Sequence, residues 1–455
     1  MKLARHHFSP VASLAALTLA CAVAHAQPVT RQPSPVPQQP IPEMLDLPTA
    51  ISFALQNNFS IRQARERIKQ QEGVVVEVSA NTLPNVGADA LYQLNDTEIG
   101  QGFPPSDRAW QINLTASQVL YAGGGIRSAV RSSKLAREAA ILDLQAVINE
   151  ALLQVRMDFY RVLLAREQIK VQESNLDLLQ QQLKTATDRF DAGTVSSFEK
   201  LRAEVAVANA KVPLITARND YRLSIESLRF ALGYTTESRE SLRRVPELVG
   251  TLDFVPQQFE LEAAFDAART NRPDLERIAK LADSQEEVVT TTRAARYPNV
   301  SAYGGWTLRQ GVGSNLGDSS NGWLVGVQSQ WNIFDGRATA GRVAQARSLL
   351  EQTRLTLTEA RLAVDVEVRR AHSEWQQATE LAEASQRVVE QGTEAVRLAD
   401  ARYSAGTGTQ LDVLSAQVDL TTARTNQIQA YYAYNVAIAA LRKAMGIADE
   451  FVKTN

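Results

Sequence analysis

The chain says the same thing twice. The phrase DRFDAGTVSSFEKLRAE at 188–204 returns as ARYSAGTGTQLDVLSAQ at 401–417. Arg189, Gly193, Thr194 and Glu199 recur 213 residues on as Arg402, Gly406, Thr407 and Asp412, and Phe190 recurs as Tyr403. Four further segments match in the same order. LPTAISFALQNNFSI (47–61) answers LEAAFDAARTNRPDL (261–275), and LPNVGADALY (83–92) answers YPNVSAYGGW (297–306). VLYAGGGIRSAV (119–130) answers NIFDGRATAGRV (332–343), and LRFALGY (228–234) answers LRKAMGI (441–447). All five pairs lie within one residue of a single offset. Self-similarity of this kind marks one structural unit used twice. It predicts an internal two-fold repeat, 47–250 and 251–455, in a chain of 455 residues.

Each copy has the same order of parts. A helical stretch is followed by a Pro-Asn break, two alternating segments, a very long helix, the Gly-Thr phrase and a return helix. From Ile126 to Ala192 there is no Gly or Pro, and from Arg342 to Ala405 there is only Gly392. Helices over about 125–191 and 338–404 follow, each roughly 95–100 Å long. No globular core encloses an element of that length. Val343, Leu350, Leu357, Val364, Ala371 and Ala378 recur every seven residues, the spacing of coiled-coil packing. Helices over about 48–80 and the return helix 197–232 are long enough together to stack end to end beside the first long helix. In the second copy the return helix is expected over 410–445.

The alternating segments predict strands at about 85–97, 109–121, 299–311 and 321–334. In AWQINLTASQVLY (109–121), Trp110, Ile112, Leu114 and Ala116 share one face and Gln111, Asn113, Thr115 and Ser117 the other. In NGWLVGVQSQWNIF (321–334), Trp323, Val325, Val327, Trp331 and Ile333 share a face. Two readings fit. One is a pair of half-buried soluble hairpins. The other is transmembrane strands, which need 9–11 residues, one apolar face and aromatic ends. Four strands do not close a barrel around a pore, and lipid does not tolerate open edges. The transmembrane reading therefore requires several chains to share one barrel.

Residues 1–26 read as a secretory leader: Lys2 and Arg5, then VASLAALTLACAVA (11–24), then the A-x-A site Ala24-His25-Ala26. The next segment, 27–46, carries six prolines among its first seventeen residues and reads as an extended tether. Cys21 is the only cysteine. Thr18-Leu19-Ala20 before it is a poor lipoprotein context, so Cys21 is expected to leave with the leader. His6, His7 and His25 leave too, and His372 remains, expected to be structural or solvated. Without cysteines and with one histidine, a zinc site or a Cys/His or Ser/His nucleophile has little to be built from. No metal site, cofactor or catalytic residue is expected. The formal charge is −2 and no basic block suits nucleic acid.

Gly193 and Gly406 each follow a long helix, where a left-handed residue stops it. The phrase is therefore a tight turn between antiparallel helices. Glu199 and Asp412 lie near the start of the returning helices, where the dipole favours a carboxylate. The whole order, with the R-[FY]-x-A-G-T-x-x-x-x-[ED]-x-L-x-A turn twice behind a leader, resembles the TolC-like outer membrane efflux proteins over about 47–447. The resemblance implies a mainly α homotrimer in the outer membrane of a Gram-negative bacterium. Each chain would give four strands to a twelve-stranded transmembrane β-barrel and its helices to a periplasmic α-helical tunnel. The irregular 234–260 and the C-terminus would lie in a belt around that tunnel. It further implies partners, a periplasmic adaptor protein and an inner-membrane pump of the proton-driven or ABC type, and outer-membrane lipid.

By position, Asp412 matches an acidic residue of the family's tip constriction, Glu199 is its counterpart, and Tyr403 matches a gating tyrosine. Arg189, Gly193, Thr194, Arg402, Gly406 and Thr407 would form the tip turns and the adaptor contact. Three copies of Glu199 and Asp412 would make negative rings favouring cations. The chain departs from the best-known members at Gly408, where they carry an arginine, and at Ser415, where they carry a second acid. The function implied is a passive duct exporting small toxic compounds. The alternatives are the duct of a type I protein secretion system or, in a different class, a periplasmic coiled-coil adaptor or scaffold.

Overall fold

The computed structural model describes residues 44–94, 96, 108–234, 246–310 and 319–451. The leader with Cys21, the proline-rich segment up to residue 43 and most of the two loops between paired strands lie outside the described residues. The first copy runs β1 (Met44–Leu45), α1 (Leu47–Asn57), α2 (Phe59–Ala80), β2 (Asn85–Leu94), β3 (Arg108–Ala122), α3 (Gly125–Asp191) and α4 (Ser197–Leu232). The second runs β4 (Glu247–Leu248), α5 (Leu261–Asn271), α6 (Pro273–Arg293), β5 (Asn299–Gln310), β6 (Ser319–Gln330), α7 (Ala338–Ser404) and α8 (Gln410–Ala444).

The long helices α3 and α7 have 67 residues each, about 100 Å at 1.5 Å per residue. Of the heptad positions on α7, Val343, Leu350, Val364, Ala371 and Ala378 are buried. The expected helix over 48–80 is broken at Asn58, whose ψ of 129° leaves the helical region. Its side-chain oxygen caps α2 by accepting from the Ser60 and Ile61 amides. Its amide nitrogen donates to the Ala231 carbonyl at 2.7 Å, the end of α4. That bond sets α2 on the end of α4, so the two together run beside α3. In the second copy Arg272 does the same for the Ala444 carbonyl at the end of α8.

A core of the second copy lies where α5, α7 and α8 meet. It includes Phe265, Val368, Trp375, Tyr434 and Leu441. Tyr434 is fully enclosed, donates to the Val255 carbonyl and accepts from the Gln257 amide. His372 is buried there against Trp375, with Nε2 3.1 Å from the Phe259 carbonyl. It is a packed residue rather than a solvated one. Met44 and Leu45 were expected in the tether. They instead form β1, paired in parallel with β4, and Leu45 is fully buried.

The other sheet is an antiparallel meander in the order β2-β3-β5-β6. Its hairpins share one register: Asn85 faces Ser117 as Asn299 faces Gln330, and Tyr92 faces Trp110 as Trp306 faces Trp323. The junction β3–β5 joins the two copies, with a bulge between Val119 and Tyr121. Tyr92, Trp110, Ile112, Leu114, Trp306, Trp323, Val325 and Val327 fall on one face by this pairing. The other face carries Asp89, Gln111, Asn113 and Thr307, with Asn113 donating to Asp89 at 2.7 Å. The apolar face is open to solvent in the single chain: Trp323 is 75% exposed and Val325 77%. The strand expected to run to Phe334 ends at Gln330. Among the described residues nothing pairs with its far side, because β6 is an edge of the sheet.

Candidate functional site

The two hairpin turns, at the end of α3 and α7 remote from the sheet, carry the candidate residues. Gly193 and Gly406 have φ of 75° and 76°, a conformation that costs a side-chain-bearing residue energy and a glycine none. At each turn the two closing bonds of a Schellman cap are present. Gly193 donates to Phe190 and Thr194 to Arg189; Gly406 donates to Tyr403 and Thr407 to Arg402. The Thr194 and Thr407 hydroxyls also donate to those same Arg189 and Arg402 carbonyls. The repeated Gly-Thr thus terminates a helix by satisfying its last carbonyls.

The two returning helices begin differently. At α8, Thr409 and Asp412 form a reciprocal capping box. The Asp412 carboxylate accepts from the Thr409 amide and hydroxyl, both at 2.9 Å. These bonds hold its pKa below the ordinary carboxylate value, helped by the charge of Arg402. At α4 the same spacing occurs in Ser196 and Glu199, yet the Ser196 side chain makes no cap bond.

Two contacts tie one turn to the other. The Arg189 guanidinium lies over the ring of Tyr403, 4.5 Å from its centroid. The Gln410 side chain donates to the Glu199 carbonyl at 3.3 Å. Gln410 was not singled out from the sequence. The signal for it was a difference between the copies, since its counterpart is Ser197. Among the described residues no hydrogen bond or ion pair joins the carboxylates of Glu199 and Asp412. Gly408 packs against the end of α7, where a Cβ would lie 3.1 Å from Cβ of Arg402. Above these contacts the α3–α8 junction is polar. Thr421 donates to Asn175, Arg424 reaches Ser174, and the buried Gln410 and Gln417 amides each leave an oxygen without a partner. Among the described residues no group of His, Cys, Asp or Glu side chains could hold a metal ion.

A family model described as outer membrane efflux protein matches residues 50–234 and 264–447, once for each copy. The chain belongs to the outer membrane efflux protein family. The cobalt-zinc-cadmium resistance protein CzcC of Cupriavidus metallidurans is 25% identical over 389 residues, covering 84% of this chain and 85% of that one. The pyoverdine export outer membrane protein OpmQ of Pseudomonas aeruginosa is 26% identical over 422 residues, covering 88% and 85%. The Campylobacter jejuni CmeC outer membrane channel has the same fold, with a TM-score of 0.77 at 16% identity over 89% of this chain and 87% of that one.

This efflux-family chain is therefore a transport protein of the outer membrane and periplasm and not an enzyme. It works as a homotrimeric channel-tunnel with a periplasmic adaptor and an inner-membrane pump. Among the described residues no helix is long and apolar enough to cross a membrane. The exposed apolar face of the sheet is what meets lipid, and its Asp89 and Asn113 face is what meets water. Of the two readings of the strands the transmembrane one holds, and the coiled-coil adaptor reading is set aside.

Proposed function

We propose that the chain is the exit duct for small toxic compounds, closed at its periplasmic tip by the two helical turns. The observation that carries the gate is the Arg189–Tyr403 contact, which clasps one hairpin to the other where both end. A cation held over an aromatic face is worth about 0.5–1 kcal/mol at an exposed site. Three such contacts in a trimer form a small, releasable barrier. The family's arginine and second acid are replaced by Gly408 and Ser415, so Arg189 supplies the cation from the first copy instead. Glu199 and Asp412 line the constriction, and the exposed turns Gly193-Thr194 and Arg402 with Gly406-Thr407 meet the adaptor. Small cargo is supported by the names of two relatives, one tied to cobalt, zinc and cadmium resistance and one to pyoverdine export.

Deleting the gene should raise sensitivity to toxic solutes or metal ions, and the intact gene should restore resistance. Unchanged sensitivity together with loss of a secreted protein would replace this cargo with that of type I secretion. At the tip, replacing Glu199 and Asp412 together by Ala should lower the cation preference of reconstituted channels several-fold. Unchanged reversal potentials in asymmetric salt would remove the rings. The lowered pKa of Asp412 gives the sign of the pH dependence. Its charge and its cap bond are present at neutral pH and are lost only as pH falls through a value below the ordinary carboxylate range. Selectivity from Asp412 should thus persist in mildly acidic periplasm.

A further inference from the structure

The elbow where α2 meets the end of α4 has a counterpart where α6 meets the end of α8, and the two differ in charge. The second copy closes its elbow with its own cations. Arg272 reaches Asp274 and Glu367, and Lys443 reaches Glu367 and Glu150. In the first copy Asn58 stands in the place of Arg272, Gln154 in that of Glu367 and Phe230 in that of Lys443. A carboxylate is nevertheless present one turn further along α3. Asp158 is only 5% exposed, and its counterpart is Ala371, a member of the core that holds Trp375. Asp158 accepts from the Gln154 side-chain amide at 2.9 Å. Among the described residues no cation lies within ion-pair distance of it, although an aspartate is almost never this buried without one.

Asp158 borders a groove of about 880 Å³ between α3 and this elbow, within the size range of small-ligand sites. Val147, Ala151, Phe59, Leu223 and Phe230 supply its apolar wall. Phe59 already has the Arg62 guanidinium 5.8 Å from its ring centroid. Phe230 is 82% exposed in the single chain, and among the described residues no cation lies over its ring. Of the other charged residues on the wall, Glu150 is paired with Lys443 and Glu226 with Arg229. That leaves Arg161, one turn beyond Asp158. Gln154, Asp158 and Arg161 each stand two residues before Arg156, Tyr160 and Leu163, about 200° away around the helix. The latter three carry the segments laid over α3. Arg156 holds Asp449, Tyr160 borders the same cavity as Asp449, and Leu163 lies against Gly250. Such segments can lie only on the outside of a tunnel whose bore stays open, so the groove on the opposite face looks into the bore.

We propose that this groove binds a monovalent organic cation with an apolar or aromatic body, and so is a station for cargo inside the tunnel. Asp158 takes the positive charge, and the open face of Phe230 lies against it as aromatic faces do against ammonium groups. The body of the ligand runs from there toward Val147, about 16 Å along α3. The bound cation does for the first elbow what Lys443 and Arg272 do for the second. Arg161, at the other end, repels a second positive charge, so dications are disfavoured. Only the word cargo rests on the export reading; the binding does not.

Ethidium, an aromatic monocation, is the probe, with the purified trimer in lipid nanodiscs and binding read by fluorescence anisotropy. Saturable binding at one site per subunit is expected. Asp158→Asn keeps the shape and the acceptor for Gln154, and should weaken binding about tenfold or more. Phe230→Ala should weaken it about three-fold. Phe230→Lys installs the cation of the second copy beside Asp158 and should abolish binding, whereas Arg161→Gln should strengthen it several-fold. Equal affinity in the native trimer and in Asp158→Asn places ethidium elsewhere and overturns the site, as does a native trimer with no saturable binding. If Asp158→Asn does not assemble, Phe230→Lys and Arg161→Gln decide. They must move the affinity in opposite directions, and a shift in the same direction, or none, overturns the proposal. Should deletion of the gene leave solute sensitivity unchanged while ethidium still binds with these signatures, the export reading fails and the site stands.

Discussion

Replacing Tyr403 by Ala is expected to raise the basal open probability of the reconstituted trimer about 100-fold, and replacing Arg189 by Ala should do the same. The magnitude follows from three cation–aromatic contacts of about 1 kcal/mol each, lost together from the closed state. Tyr403→Phe is the informative control. The contact uses the face of the ring, so Phe should keep the channel close to its native conductance. Had the hydroxyl been the latch, Tyr403→Phe would open the channel as far as Tyr403→Ala. The double variant Arg189→Ala with Tyr403→Ala should open it no further than either single change, because both remove one interaction. A fully additive double variant, or a silent Arg189→Ala, would dismiss the pair.

The effect is expected to be large because little else resists separation of the hairpins near the tip. The apolar cluster of Leu179, Val207 and Ala210, with Leu414 against it, is small. The remaining bonds of α8 to the first hairpin near the tip are polar: Gln410 with the Glu199 carbonyl of α4, and Thr421 with Asn175 and Arg424 with Ser174 of α3. Water replaces such bonds at little net cost, since a typical one contributes only about 1 kcal/mol. The amide oxygens of Gln410 and Gln417 that lack a partner when the hairpins are together gain one when they part. Higher up, the core around Trp375 and Tyr434 is apolar and aromatic. On the proposed gating, opening is expected to be confined to the tip, with the apolar upper tunnel as the fixed frame.

The repeat is what made the fold class legible. A Pro-free run of more than sixty residues, recurring 213 residues on with Gly392 as its one glycine, leaves few architectures, and the alternation in 109–121 and 323–327 separates the lipid face from the lumen. What escaped were contacts with no local signature. A strand of two residues has no periodicity, so Met44 and Leu45 read as tether until β4 was seen beside them. Arg189 and Tyr403 are more than 200 residues apart, and each fits its own helix end so well that neither pattern hints at the other. Gln410 was visible only as a mismatch with Ser197. The break at Asn58 was concealed because its cause lies elsewhere, in the Ala231 carbonyl that its side chain must reach.

The same elbow yields the second large effect. Gly233 ends α4 with φ of 74°, and a Cβ there would lie 2.7 Å from the carbonyl carbon of Asn57 and 2.8 Å from Cα of Asn58. Both neighbours are backbone, so nothing flexible can yield. Gly193 has nearly the same φ, 75°, and nothing within 4 Å. Ala at Gly193 should therefore cost only the left-handed penalty, about 1–2 kcal/mol. Ala at Gly233 should cost that and more, because the displaced α1–α2 segment also loses the Asn58–Ala231 bond, worth about another 1 kcal/mol. Gly446, whose Cβ would lie 2.9 Å from the carbonyl carbon of Asn271 and 3.0 Å from the Arg272 backbone nitrogen and Cγ, should fall between, since those backbone contacts are longer than at Gly233 and Arg272 Cγ can move. Thermal dissociation of the trimer should then be lowered in the order Gly233→Ala, Gly446→Ala, Gly193→Ala, with the first failing to assemble at growth temperature. Equal losses at 193 and 233 would mean that the backbone angle alone matters. The seating of α2 on the end of α4 would then not be what keeps the paired helices in line with α3.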